Sequence, residues 1–199
     1  MAHISSISAA MFSDMAVATP AAELSQTALA ALATAANFQA LFASEIAAIG
    51  GTRAAGAFVR ITDVREFPAM GAPANIVNVP TYGKKTSGQV QGQADAAAIE
   101  LTLNYIPATW AKDVGNILGL MVNDGVQRVF RFTLAAVEPT GTTATKWASV
   151  AGGLGTVQNS QFYWVGKVEA LQVTPGLTDA STATLTISAQ TDLFGPFTI

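Results

Sequence analysis

Cysteine is absent from this chain of 199 residues, and charge is scarce. Without cysteine there can be no disulfide framework, no thiolate metal site and no thiol nucleophile, and the composition suits folding in a reducing cytosol. Charged residues make up 12% of the chain, against about 25% in ordinary soluble domains. Half of the residues are hydrophobic. Such a chain has too little charge to coat itself as a lone monomer. Charged residues are depleted at the cores of protein interfaces because desolvating them is costly. Much of the surface is therefore expected to be covered by other copies or partners.

Basic residues are the scarcer sign. Ten Lys and Arg stand against thirteen Asp and Glu, a net charge of −3, and Lys84-Lys85 is their only adjacent pair. A protein that grips phosphates would carry a basic stripe, so specific nucleic-acid binding is not expected. Long apolar runs are missing too. Residues 21–49 are Ala-rich but interrupted by Glu23, Gln26, Asn37, Gln39 and Glu45, whereas a transmembrane helix needs about 20 mostly apolar residues. No membrane role is expected. Met1 to Ser6 have no basic region of the kind that opens a secretory signal, and none is expected.

Reactive groups are equally sparse. The single histidine, His3, sits among small and polar residues near the start of the chain. No His, Asp and Glu cluster has metal-ligand spacing. Gly152-Gly153-Leu154-Gly155 lacks the Lys-Ser/Thr of a phosphate loop. Asp192-Leu193-Phe194-Gly195 stands without the other parts of a kinase. Asp63 and Glu66 can be paired on paper, but nothing sets them apart. Neither a catalytic site, a metal nor a cofactor is expected.

What the chain does have is periodicity. Thr19-Pro20 is a helix start. Leu24, Ala28, Leu32, Ala35, Phe38, Phe42, Ile46 and Ile49 then recur at helical spacing up to Gly50-Gly51. The spacing predicts an Ala-rich helix over 20–49 with few charges on its other faces. After Gly56 the period falls to two. Strands are predicted at 57–64, 76–79, 99–105 and 130–137, and a C-terminal hairpin has arms at 162–173 and 182–188. The hairpin turns through Pro175-Gly176 and Asp179, and residues 82–88 read as a mobile connector. A second helix is predicted over 109–122, with Trp110, Val114, Ile117, Leu118 and Met121 as its buried stripe.

Residues 139–160, rich in Gly and Thr, form a long loop without periodicity, which in a compact domain points to function. A free loop would expose Trp147, Val150 and Leu154, so these are candidate inter-subunit contacts. The fold class is mainly β with α (α+β). The division is an N-terminal arm and Ala-rich helix at 1–52 and a β domain at 53–199, ending in an extended tail.

The order of elements over 56–190 resembles the major tail protein, or tail tube protein, of long-tailed non-contractile bacteriophages. The likeness rests on Phe58-Val59-Arg60-Ile61-Thr62-Asp63-Val64 and on Val77-Asn78-Val79-Pro80-Thr81-Tyr82-Gly83. Gly92-Gln93-Ala94-Asp95 then leads into Ile99-Glu100-Leu101-Thr102-Leu103-Asn104-Tyr105-Ile106-Pro107. A Trp110 helix, a Phe-rich strand, a Gly/Thr loop and a Thr-rich hairpin follow. The Ala-rich segment at 20–49 departs from this pattern, and nothing is carried over to it.

The resemblance implies a β-sandwich or half-barrel flanked by one helix, assembled as hexameric rings whose inward strands join around a lumen. Stacked rings would form the tail tube that houses the tape-measure protein. That tube is closed by tail terminator and tail-tip proteins, and DNA is ejected through it without specific binding. The setting would be the virion, assembled in the host bacterial cytoplasm. Glu100, Thr102 and Asn104, the polar positions of one alternating strand, are candidates for the lumen wall or equally for the tube exterior. Two alternatives stand beside this reading. One is another self-assembling virion component such as a neck, connector or decoration protein. The other is a secreted β-rich binding module, which would be expected to carry an export signal and clustered exposed aromatics. An enzyme is the weakest reading.

Overall fold

The computed structural model describes residues 13–18, 44–45, 57–71, 76–91, 98–113, 115–134 and 160–198. Its strands are β1 (Asp14–Ala18), β2 (Ser44–Glu45), β3 (Ala57–Arg60), β4 (Val64–Glu66), β5 (Ile76–Val79), β6 (Gly88–Gln91) and β7 (Ala98–Asn104). They continue with β8 (Arg128–Leu134), β9 (Ser160–Thr174), β10 (Thr182–Ala189) and β11 (Phe194–Thr198), and two short helices are α1 (Pro107–Trp110) and α2 (Ile117–Met121). The fold is mainly β with a small helical share. In β7 and β10 every second residue is buried: Ile99, Leu101 and Leu103 in one, Ala183, Leu185, Ile187 and Ala189 in the other. Period-two alternation does this because successive side chains of a strand point to opposite faces.

The main sheet runs β2-β3-β1-β8-β9-β10-β7-β4, with β11 added on β9. All its pairings are antiparallel except β2 with β3. β3, next to one end of this path, and β4, at the other, are one stretch of chain, because only Ile61–Asp63 separate them. The Ile61 N–H donates to the Met15 carbonyl at 2.8 Å, and the Asn104 N–H donates to the Asp63 carbonyl, also at 2.8 Å. Residues 57–66 thus pair with β1 at their start and with β7 at their end, and the sheet closes on itself as a barrel. Asp63 makes the corner at φ 62, a left-handed conformation that Asp tolerates better than most residues. The closure is partial, because β4 meets β7 only at Leu103 and Thr102.

Inside lie Met15, Val17, Val59, Ile61, Ile99, Leu101, Leu103, Phe130, Phe132, Trp164, Leu185 and Ile187. Phe130 and Trp164 stack with centroids 5.6 Å apart. Burying each of the larger side chains is worth about 1.5–3 kcal/mol. The short helices add Trp110, Ile117, Leu118 and Met121 to the same core.

Four expectations change. The helix predicted over 109–122 is broken into α1 and α2, because the Asn116 side chain takes backbone groups on both sides of the gap. Its Nδ2 donates to the carbonyls of Ala108, Thr109 and Ala111 at 3.1, 3.1 and 2.7 Å, and its Oδ1 accepts the Gly119 N–H at 3.3 Å. A Cβ at Gly119 would lie 2.0 Å from the Ala111 oxygen, so only glycine lets the two helices approach this closely. The predicted stripe still faces the core at Trp110, Ile117, Leu118 and Met121.

Most of the helix predicted over 20–49 lies outside the described residues, but Ser44–Glu45 pair in parallel with Ala57 and Phe58. The outer edge of β3 offers unpaired backbone groups, and pairing there wins over local helical propensity. The division at 52 also fails to separate an arm from the β domain, since β1 sits between β3 and β8 in the sheet. Its Met15 and Val17 fill the barrel. Met15-Ala16-Val17-Ala18 has no polar residue alternating with the apolar ones, so it shows no period of two. Residues 82–88, read as a connector, are the turn of a ribbon formed by β5 and β6.

Candidate functional site

Three surfaces of the barrel stand out. The first is the outward face of β7, β10 and β9. Because Ile99, Leu101 and Leu103 turn inward, Glu100, Thr102 and Asn104 turn outward together. Across the sheet Thr102 stands opposite Thr184, which stands opposite Gln172. Asn104 lines up with Thr182 and Thr174, and Glu100 with Thr186 and Ala170. The row below holds Ser188 beside Lys167. A register shift between Thr186 and Ile187 sets the Glu169 carboxylate where it accepts the Ser188 hydroxyl at 2.6 Å. The face is mostly hydroxyls and amides, with Glu100 and Glu169 against Lys167. Among the described residues this face carries Lys167 as its cation and so no array with which to grip phosphate.

The edges of this three-stranded segment are open among the described residues. β4 meets β7 only at Leu103 and Thr102, which leaves Ala98–Leu101 without a neighbour on that side. β8 accompanies β9 only as far as Gly166, and the Asn123 N–H then donates to the Val168 carbonyl. From Glu169 to Thr174 the same side of β9 has no described strand. Exposed backbone of this kind is a template for pairing with another chain.

The second surface is the ribbon. Val77 faces Val90 and Val79 faces Gly88, so one side of the ribbon is apolar, while Asn78 faces Gln89 on the other. Val77 is 48% exposed and Val90 57%, and Tyr82 in the turn is fully exposed. A two-stranded ribbon by itself is marginally stable at best in water. The third surface is an apolar groove of about 390 Å³ at one mouth of the barrel, lined by Phe67, Pro68, Met70, Phe132, Leu134 and Phe162. Phe67 and Phe132 meet there at 5.2 Å.

A buried charge cluster lies on the other face of β1 and β8. Asp14 accepts from Arg60 Nε at 2.8 Å and from Arg131 Nη2 at 3.4 Å. Burial pushes the Asp14 carboxyl above its ordinary range, and the two guanidiniums pull it back only in part. Burial likewise raises the Tyr163 phenol, against a lowering by Arg131. Removing one partner of this buried group would leave an uncompensated charge, so the cluster is costly to disturb.

Of the residues singled out in the sequence, Glu100, Thr102 and Asn104 share one face, while Trp147, Val150 and Leu154 lie outside the described residues, as does His3. The candidate carboxylates Asp63 and Glu66 are both exposed, and the Thr62 hydroxyl donates to Asp63 at 2.9 Å. No group of His, Cys, Asp and Glu able to hold a metal occurs among the described residues. No helix among them is long and apolar enough to cross a membrane. Sequence reasoning missed the ribbon face and the groove. Val77 and Val79 did alternate with Asn78, but the partner strand is Gly and Gln with one Val and gave no signal. No family model matches the chain, and no curated protein matches it.

Proposed function

We propose that this chain is a non-enzymatic, self-assembling structural subunit of a virion, the tail tube protein of a long-tailed phage. Copies join as hexameric rings, and stacked rings make the conduit for DNA ejection around a tape-measure protein. Terminator and tip proteins close the two ends, after assembly in the bacterial cytoplasm. The observation that carries the reading is the β7-β10-β9 segment, which combines a hydroxyl-rich outward face with backbone edges that, among the described residues, have no neighbouring strand over Ala98–Leu101 and Glu169–Thr174. Joined edge to edge, such segments would make a continuous wall, with Glu100, Thr102 and Asn104 facing a wet lumen. The charge deficit supports the same reading, since covered surfaces need little charge. So do two separate apolar patches, the ribbon face and the groove. Unlike patches that fit each other join copies head to tail, which gives closed rings or open filaments.

The test is light scattering and negative-stain imaging of the purified protein at high concentration, with and without a tail-tip initiator. Rings or tubes are expected. Val77→Asp with Val90→Asp should weaken their formation while leaving thermal stability within about 0.5 kcal/mol, as for surface changes generally. A strictly monomeric species with initiator present would sink the proposal.

A further inference from the structure

The chain contains one Asp-Gly dipeptide, Asp124-Gly125, and no Asn-Gly. Asp-Gly is the aspartyl sequence most open to cyclisation, because glycine has no Cβ to hinder attack by its own nitrogen and moves freely through φ and ψ. The dipeptide lies in the exposed turn between α2 and β8, with Gly125 at φ +72 and open space where a Cβ would project. Sequence and exposure together mark a place where the backbone can rearrange.

The fold restrains the carboxylate that this chemistry would have to move. Arg128, 3% exposed, grips it with both terminal nitrogens: Nη1 donates to Oδ1 at 2.9 Å and Nη2 to Oδ2 at 2.5 Å. The Val126 N–H also donates to Oδ1 at 3.0 Å, and Arg128 Nη1 donates to the Val126 carbonyl at 3.1 Å. Both oxygens are held toward residues 126 and 128. Cyclisation instead requires the carboxyl carbon to turn toward the Gly125 nitrogen.

We infer that Asp124-Gly125 is a succinimide- and isoaspartate-forming site that Arg128 keeps closed in the folded protein. In the reaction the Gly125 nitrogen loses its proton and bonds to the Asp124 carboxyl carbon. One carboxyl oxygen takes up two protons and leaves as water. Water then adds to either carbonyl of the ring, restoring aspartate or giving isoaspartate. No oxidant, reductant or co-reactant other than water is needed. The isoaspartyl product routes the main chain through the β-carbon and lengthens it just ahead of β8, whose first residue is Arg128 itself. Modification therefore dismantles the clamp that restrained it.

The experiment is timed incubation at 37 °C and neutral pH, followed by peptide mapping of isoaspartate at residue 124. Wild-type protein is compared in native buffer and in unfolding urea, and Arg128→Gln and Arg128→Lys are compared in native buffer. Native wild type should convert about tenfold more slowly than unfolded wild type, equal to ~1.4 kcal/mol of added barrier. Folded Arg128→Gln should approach the unfolded rate, with Arg128→Lys between. Equal wild-type rates in buffer and urea would overturn the inference, and that comparison decides alone if neither variant folds. A folded Arg128→Gln that converts as slowly as wild type would overturn the role of Arg128.

Discussion

Exchanging one atom at Asn116 tests how the helical segment is held on the barrel. Asn116 is 2% exposed. Its amide nitrogen faces three carbonyls, at 3.1, 3.1 and 2.7 Å, and its oxygen caps α2 through the Gly119 N–H. Asn116→Ala removes all of this. Two donated hydrogens at about 1 kcal/mol each and one capping bond at about 1 kcal/mol give a loss near ~3 kcal/mol. Asn116→Asp keeps the cap but turns a carboxylate oxygen toward the same three carbonyls. Leaving buried acceptors opposite a charge adds about 1–3 kcal/mol, so aspartate should be worse than alanine at neutral pH. The pH dependence separates the two variants. The new carboxyl has its folded pKa raised, because only its protonated form can donate to a carbonyl. Its stability deficit therefore grows as pH rises above about 4 and shrinks again in acid. Asn116→Ala shows no such dependence relative to wild type. Urea unfolding between pH 3 and 7 reads this directly. With a slope near 2 kcal/mol/M, Asn116→Ala should lower the midpoint by roughly 1.5 M. An Asn116→Asp variant as stable as wild type at pH 7 would refute the reasoning.

Gly119→Ala should cost at least about 1–3 kcal/mol in urea unfolding, since its Cβ would lie 2.0 Å from the Ala111 oxygen and 2.6 Å from the Ala111 carbonyl carbon. A change below about 0.5 kcal/mol, typical of free surface sites, would mean that α2 does not press on the α1 backbone. At Asp14 the folded carboxyl sits above its unfolded value, so the native state binds more protons and this group's contribution to stability falls as pH rises through that window. The stability of wild type relative to Asp14→Asn should accordingly decline from about pH 4 upward; a relative stability that rises with pH would mean that pairing with Arg60 and Arg131 outweighs burial.

Much of the architecture was legible wherever chemistry repeats locally. The alternation in Ile99–Asn104 and Thr182–Ser188 set both the strands and the faces they present, because period two leaves no other way to bury three apolar residues in line. The apolar stripe of Trp110, Ile117, Leu118 and Met121 marked a buried helical segment, although its break did not show. That break depends on Asn116 reaching carbonyls five to eight residues back, a pattern that spacing alone does not reveal. That Glu100, Thr102 and Asn104 share one outward face was legible for the same local reason.

By itself, the sequence determined a cysteine-free, charge-poor, mainly β chain with one polar strand face, since composition and period-two patterning act residue by residue. Tertiary structure alone decided that β1 enters between β3 and β8, that residues 57–66 close the barrel, and that Asp14 meets Arg60 and Arg131. Each of these joins residues far apart in the chain. The Asp14–Arg131 contact, for example, spans 117 positions. Pairing of that kind depends on which backbone edges remain unpaired once the other strands are in place, and no local pattern encodes it.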